Sequence, residues 1–234
     1  MVLYVNGCSH TAGHCIPLQK TYSNIVMNSL CMNTPYVINP TLTHKNLPTN
    51  FLYNDSRYGA GNDYIFHQSI ESISQLIAVG KKPNHVIIQW SGPNRRMNCG
   101  ETGIVEFVNP WDRPELGVPF EPMASEHSIH FIFALQEFLK SNEIDYWFFN
   151  YMALDKCIKK SNILRLIDFT KWIDFENGDY LFEGLINFFK SQNLCCDEMG
   201  HPNQEANFII ANKITDKFKI NMIDRDIFLA NKLI

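Results

Sequence analysis

No apolar run in this sequence approaches the roughly 20 residues that a membrane-spanning helix needs. No internal repeat, low-complexity tract or linker-like stretch interrupts it. Charge is sparse: 19% of residues are charged, and the 20 lysines and arginines are scattered among 24 acidic residues, for a net charge of −4. A nucleic-acid surface needs clustered Lys and Arg to replace counterions, so that class of partner is excluded. The pairs Lys81-Lys82, Arg95-Arg96 and Lys159-Lys160 are too short to make a patch. A disulfide framework is missing as well, because the seven cysteines are an odd number spread along a long chain. Residues Val2–Val5 already read as a buried strand, which leaves no stretch to serve as a signal peptide. The expectation is a soluble, cytoplasmic protein with reduced thiols and with neither membrane nor nucleic-acid partners.

What remains is the composition of a folded domain. The 234 residues, 45% of them hydrophobic, are enough for one sizeable core, and a single domain over 1–234 is expected. Short apolar strands alternate with amphipathic helices. Strands are expected at Val2–Val5, near Phe51–Tyr53, at His85–Trp90 and at Asp145–Asn150, with a weaker one near Leu164–Asp168. The continuous apolar character of the first, third and fourth implies burial on both faces, as in a parallel sheet. Helices are expected at Thr21–Leu30, Asp63–Val79, Ser125–Asn142, Tyr180–Gln192 and Asn203–Phe218, the last with Ala206, Ile210, Ile214 and Phe218 on one stripe. This alternation implies a three-layer α/β sandwich with a mostly parallel sheet of about five strands in the flavodoxin-like order, and function at the carboxyl ends of the strands. The segment from Gly92 to Met123 breaks the pattern, with prolines at 93, 110, 114, 119 and 122 and no helical period. It is expected to be an ordered surface loop, either one that covers a site or a plain elaboration of the crossover connection.

Two ends of the chain carry chemistry. The first strand runs into Asn6-Gly7-Cys8-Ser9-His10, which sets a small hydroxyl at the rim of the sheet. Near the far end, Asp197-Glu198-Met199-Gly200-His201 places an imidazole before a helix with two carboxylates upstream. A serine hydroxyl becomes a useful nucleophile only when an imidazole takes its proton, and the imidazole needs an acceptor to fix its tautomer.

Together with two internal segments, these ends resemble the SGNH (GDSL-like) hydrolase superfamily. The family's first block, Gly-Asp-Ser, is met by Gly7-Cys8-Ser9. The second is met by Asn54-Asp55-Ser56-Arg57-Tyr58-Gly59, and the third, Gly-x-Asn, by Gly92-Pro93-Asn94. The last, an acid shortly before His, is met at Asp197/Glu198 and His201. The likeness is nearest to a divergent Gly-Cys-Ser-x-Thr branch in which Gly-x-x-Asn-Asp follows the second block, here Gly59-Ala60-Gly61-Asn62-Asp63. The resemblance implies a serine esterase with Ser9 as nucleophile and His201 as base. The Ser9 and Gly59 backbone N–H groups and the Asn94 amide would form the oxyanion hole. For the acid, Glu198 has the family's commoner offset and Asp197 the commoner residue type; Asp197 is preferred on type.

Departures from the pattern carry further expectations. Cys8 stands where the family has Asp, and Arg95 follows Asn94 where the family has Asp. Arg95 either meets an anionic substrate or pairs with Asp63 or another acid. Trp90, Trp111 and Tyr58 could stack on a sugar, which suits a small-molecule or glycan ester such as a carbohydrate O-acetyl group; Arg95 and Trp111 are the expected substrate contacts. No cofactor and no metal are expected, because the spacings of Cys8, His10, His14, Cys15, Cys195, Cys196 and His201 form no Cys-x-x-Cys pair and no His-Glu-x-x-His helix. The alternatives are a catalytically silent relative that binds a glycan or acyl ligand in the same cleft, and an acyl-transferring one.

Overall fold

A computed structural model describes residues 1–30, 36–38, 47–99, 105–108, 121–175, 181–182 and 184–218. Five parallel strands form the central sheet: β1 (Val2–Asn6), β2 (Tyr36–Ile38), β3 (Phe51–Asn54), β4 (His85–Trp90) and β7 (Asp145–Asn150). Their spatial order is β2-β3-β1-β4-β7. Beyond β7, Trp172 makes an isolated parallel bridge to Phe148. Counting β1, β3, β4, β7 and this bridge in chain order gives 2-1-3-4-5, the expected flavodoxin-like order, and β2 adds one strand outside it.

Strand burial explains the layering. Every residue of β1 is buried, and its side chains alternate between two cores. Val2 and Tyr4 join Phe51, Ile88 and Phe148 beneath α3 (Asn62–Ala78) and α4 (Glu121–Ser141). Leu3 and Val5 join Ile87 and Phe149 beneath α2 (Tyr22–Leu30), α5 (Leu185–Ser191) and α6 (Gln204–Phe218). The three-layer sandwich expected from the alternation is therefore present. Among the described residues no helix is long and apolar enough to cross a membrane.

Two local expectations are corrected. The apolar run at Leu164–Asp168 is not a strand: Asn162–Leu166 is a 3-10 helix, held under α4 by Gln136, which donates to Leu166 O and accepts from Asp168 N. The chain reaches the sheet only at Trp172 and Ile173, whose N–H donates to Phe148 O at 2.9 Å. The segment 92–123 is not wholly irregular. It contains an antiparallel pair, β5 (Arg96–Cys99) with β6 (Val105–Val108), and α4 already begins at Glu121. Residues 100–104 and 109–120, with Trp111 among them, lie outside the described residues.

Candidate active site

The carboxyl ends of β1, β3 and β4 deliver three turns to one edge of the sheet. After β1, Cys8 caps a one-turn helix, α1 (Ser9–Ala12), that ends at Gly13 with a left-handed φ of 82°. Ser9 is its first residue, so its N–H is among the groups that helical geometry leaves without an intrahelical acceptor. After β3 comes Gly59 with φ 76°, a left-handed conformation open to glycine at little cost. Gly61 is needed for another reason: a Cβ there would meet the Arg95 carbonyl oxygen at 2.2 Å. This close approach brings the second and third blocks together. Asn62 then bonds both backbone polar groups of Ser91, accepting from its N–H at 2.7 Å and donating to its carbonyl at 3.1 Å. Asp63 accepts from Met97 N at 2.7 Å. The Gly59–Asp63 stretch thus clamps the turn that carries Asn94.

The loop before α6 is closed as tightly. Cys195 bridges Pro202, Cys196 N donates to His201 O at 2.8 Å, and Asn203 N donates to Leu194 O at 2.9 Å. Gly200 makes the turn with φ 90°, and its carbonyl accepts a hydrogen bond from the Tyr151 hydroxyl. Asn203 caps α6 by accepting from Ala206 N at 3.0 Å.

These loops bring Ser9, His201 and Asp197 into one line. His201 Nε2 lies 2.9 Å from Ser9 Oγ, and His201 Nδ1 lies 2.6 Å from Asp197 Oδ2. Asp197 Oδ1 also accepts from the His201 backbone N–H at 3.0 Å. Partial burial opposes ionisation of Asp197, but the bonds from the His201 backbone and ring outweigh it and hold its pKa down to about 2. An ionised carboxylate only accepts hydrogen bonds, so Nδ1 carries the ring proton and Nε2 is left to accept from the Ser9 hydroxyl. Burial holds the His201 pKa below the usual histidine value. The imidazole is therefore neutral, and able to take a proton, at neutral pH. Glu198, the other candidate acid, is exposed, and the carboxylate paired with the ring is that of Asp197.

Several neighbours are not legible from spacing. His10 is buried and stacks on Tyr151 at 3.6 Å between ring centroids and on His201 at 4.8 Å. Its Nδ1 is 2.7 Å from Cys8 Sγ, and Cys8 Sγ donates to Gln89 Oε1 at 3.3 Å. Burial first, then Arg95, holds the His10 pKa well below the usual value. It thus stays neutral beside His201. His14 packs against His201 on another side, 4.3 Å between centroids, and meets the Tyr58 ring edge-on at 5.3 Å.

The remaining expected residues are placed as follows. Asn94 is half-buried, and its side-chain oxygen is buried without a protein partner. Arg95 does not draw on the Asp63 carboxylate as its anchor: Nη1 donates to Ser91 Oγ at 3.2 Å, while Asp63 is bonded by the Tyr64 and Met97 backbone N–H groups. Arg95 lines a cavity of about 230 Å³ with Asn62, Arg96, His127 and Phe131. A wider hollow of about 420 Å³ lies between Ala12 and the Ser56–Tyr58 turn. Of the three aromatic residues expected to stack on a sugar, Trp90 is fully buried in the core and cannot, whereas Tyr58 is 58% exposed.

No protein-family model and no curated protein sequence matches this chain. Solved structures do. The psychrotrophic esterase EstA of Pseudoalteromonas sp., inhibited in its crystal by monoethylphosphonate, aligns over 93% of this chain and 96% of its own, with TM-score 0.51 at 10% identity. An acetyl xylan esterase, AlAXEase, aligns over 92% and 98%, with TM-score 0.51 at 17% identity. TesA aligns over 94% and 98%, with TM-score 0.51 at 11% identity. Likeness at these identities establishes architecture, and the architecture is the one that the four sequence blocks imply: the chain has the SGNH (GDSL-like) hydrolase fold.

Proposed function

We propose that this protein is a serine esterase that cleaves its substrate through a Ser9 acyl-enzyme. The observation that carries the reading is the unbroken hydrogen-bonded line from Ser9 Oγ through His201 to Asp197. The Ser9 hydroxyl donates to Nε2, and as Oγ attacks the ester carbonyl its proton passes to His201. Asp197 stabilises the imidazolium so formed. His201 then returns the proton to the leaving alcohol, and water repeats the sequence to release the acid.

The negative charge that develops on the carbonyl oxygen needs donors fixed in advance. The Ser9 and Gly59 N–H groups and the Asn94 amide take that role in this reading. Gly61 and Asn62 hold the two outer turns at a set spacing for it. The substrate class is a small-molecule or glycan ester. An acetyl xylan esterase among the similar structures favours a carbohydrate O-acetyl group. The exposed Tyr58 ring beside the 420 Å³ hollow offers a sugar-stacking face, and Arg95 in the 230 Å³ cavity offers a contact for an anionic substituent.

Replacing Ser9 by Ala tests the reading. Turnover of p-nitrophenyl acetate is expected to vanish while the thermal transition stays in place, because Ser and Ala differ by one oxygen atom. A fully active Ser9→Ala protein overturns the mechanism.

A further inference from the structure

The residues that flank the proposed triad form a second constellation. His14 and Cys15 follow α1, and Asp197 and His201 lie on the loop before α6. One ligand-type atom from each lies within 4.8 Å of the other three. Cys15 adopts a left-handed backbone conformation, φ 68°, which is uncommon outside glycine, and its Sγ reaches Asp197 Oδ2 at 3.6 Å. His201 is buried, His14 and Asp197 are half-buried and Cys15 is exposed, so the group opens to solvent on its thiol side.

We infer that these four residues form a binding site for a thiophilic divalent ion of the zinc type, and that an ion bound there switches the hydrolase off. The donor set is two imidazoles, one thiolate and one carboxylate. Imidazole and thiolate select zinc-like ions over magnesium or calcium. The two anionic ligands match the ion's charge of two. Tetrahedral coordination at ordinary zinc–ligand lengths sets the ligand atoms about 3.4–3.8 Å apart. The widest separation, 4.8 Å, must close by about 1 Å to reach that spacing. As the metal–sulfur bond forms, the Cys15 thiol releases its proton to solvent.

Inhibition follows from which groups the ion takes. Both ring nitrogens of His201 have partners, Nδ1 with Asp197 and Nε2 with Ser9. An ion at either nitrogen removes a contact on which proton transfer depends, and coordination of Asp197 removes the other ring anchor. Metal occupancy and catalysis therefore exclude each other. The inhibitory half rests on the esterase reading above; the binding half does not.

Cobalt(II), which takes zinc sites and reports thiolate ligation by a near-ultraviolet charge-transfer band, is the probe. Titrating the metal-free protein should develop that band to saturation at one equivalent, and zinc should displace it. Cys15→Ser should abolish the band, and His14→Ala should weaken binding by at least about tenfold, the scale that even outer-shell changes reach. The thiol of Cys196 contacts Cys15, so the double variant C15S/C196S closes the route by which that neighbour takes over. Ser9→Ala should bind the metal as the wild type does. On p-nitrophenyl acetate, hydrolysis should fall in step with occupancy and return on adding a chelator. Absence of the band, or a band that survives in C15S/C196S, overturns the site. A metal-saturated enzyme with undiminished turnover overturns the inhibition. If the protein cleaves no model ester, the cobalt titration still decides the site, and only the esterase reading fails.

Discussion

Exchanging Asp197 for Asn changes one atom and reverses one hydrogen bond. In the native site Oδ2 accepts from His201 Nδ1 at 2.6 Å, within the charge-assisted range, and Oδ1 accepts from the His201 backbone N–H at 3.0 Å. The Asn oxygen keeps the backbone contact, so its amide nitrogen must face Nδ1. That nitrogen donates, Nδ1 becomes an acceptor, and the ring proton moves to Nε2, where it points at Ser9. A protonated Nε2 cannot take the Ser9 proton. The same exchange in a serine-protease triad costs about 10⁴ in kcat, which is about 5.4 kcal/mol of barrier. Retention of the backbone bond predicts a stability close to wild type, so the loss is kinetic. The assay is kcat and KM on p-nitrophenyl acetate with a chelator present, alongside a thermal melt. Glu198→Gln is the internal control: the side chain is exposed, and its activity should stay within about twofold of wild type, as surface substitutions do. An Asp197→Asn enzyme within tenfold of wild type, or equal losses in both variants, refutes the reasoning.

Asn94→Ala removes one of the proposed oxyanion donors and should lower kcat on the order of a hundredfold with little change in KM, measured on the same ester. The His201 pKa is held below the usual histidine value and the reaction needs its neutral form. In chelator, kcat/KM should therefore rise with pH through a midpoint below about 6.5 and be flat by neutrality; a midpoint above 7 contradicts it. Tyr151→Phe removes the hydroxyl that donates to Gly200 O in the His201 loop. Leaving that buried acceptor unpaired should cost about 1–3 kcal/mol in denaturant unfolding, with a fall in kcat as the loop loses its anchor; an unchanged transition midpoint counts against the contact.

The groups proposed to react are legible in the sequence because such chemistry sits at strand ends and loop turns. Gly7-Cys8-Ser9 follows a strand buried on both faces, and a continuous apolar run reveals such a strand without help from tertiary structure. The ambiguity between Asp197 and Glu198 could not be resolved by spacing, since both carboxylates lie within one turn of His201. The closure of that loop by Cys196 N to His201 O, with the left-handed Gly200, turns Asp197 inward. Position 164–168 misleads for a related reason. The chain there turns as a 3-10 helix that buries only part of its apolar surface, with Leu166 exposed, and the Gln136 side chain bonds the Leu166 carbonyl and the Asp168 N–H that a sheet would otherwise pair. The strands β5 and β6 sit in a segment rich in proline and glycine, where two-residue alternation is too short to read. His10 stacks on His201 and in turn on Tyr151, and His14 packs at a tilt against His201, contacts between elements far apart in the chain that no local pattern encodes. Gly61 is the exception among the supporting residues: its place in Gly59-Ala60-Gly61-Asn62-Asp63 is visible in the sequence, and its cause is the Arg95 backbone packed against it.

A fluorophosphonate tests the central claim most directly, because its phosphorus reacts with a serine oxygen only where that oxygen is activated and the phosphoryl oxygen finds oxyanion donors. Intact-mass measurement of the metal-free protein after exposure to the reagent should show one adduct, and peptide mapping should place it on Ser9. The adduct should be absent from Ser9→Ala and form far more slowly in His201→Ala. A folded, metal-free protein that takes up no label, or that carries it on a residue other than Ser9, contradicts the account.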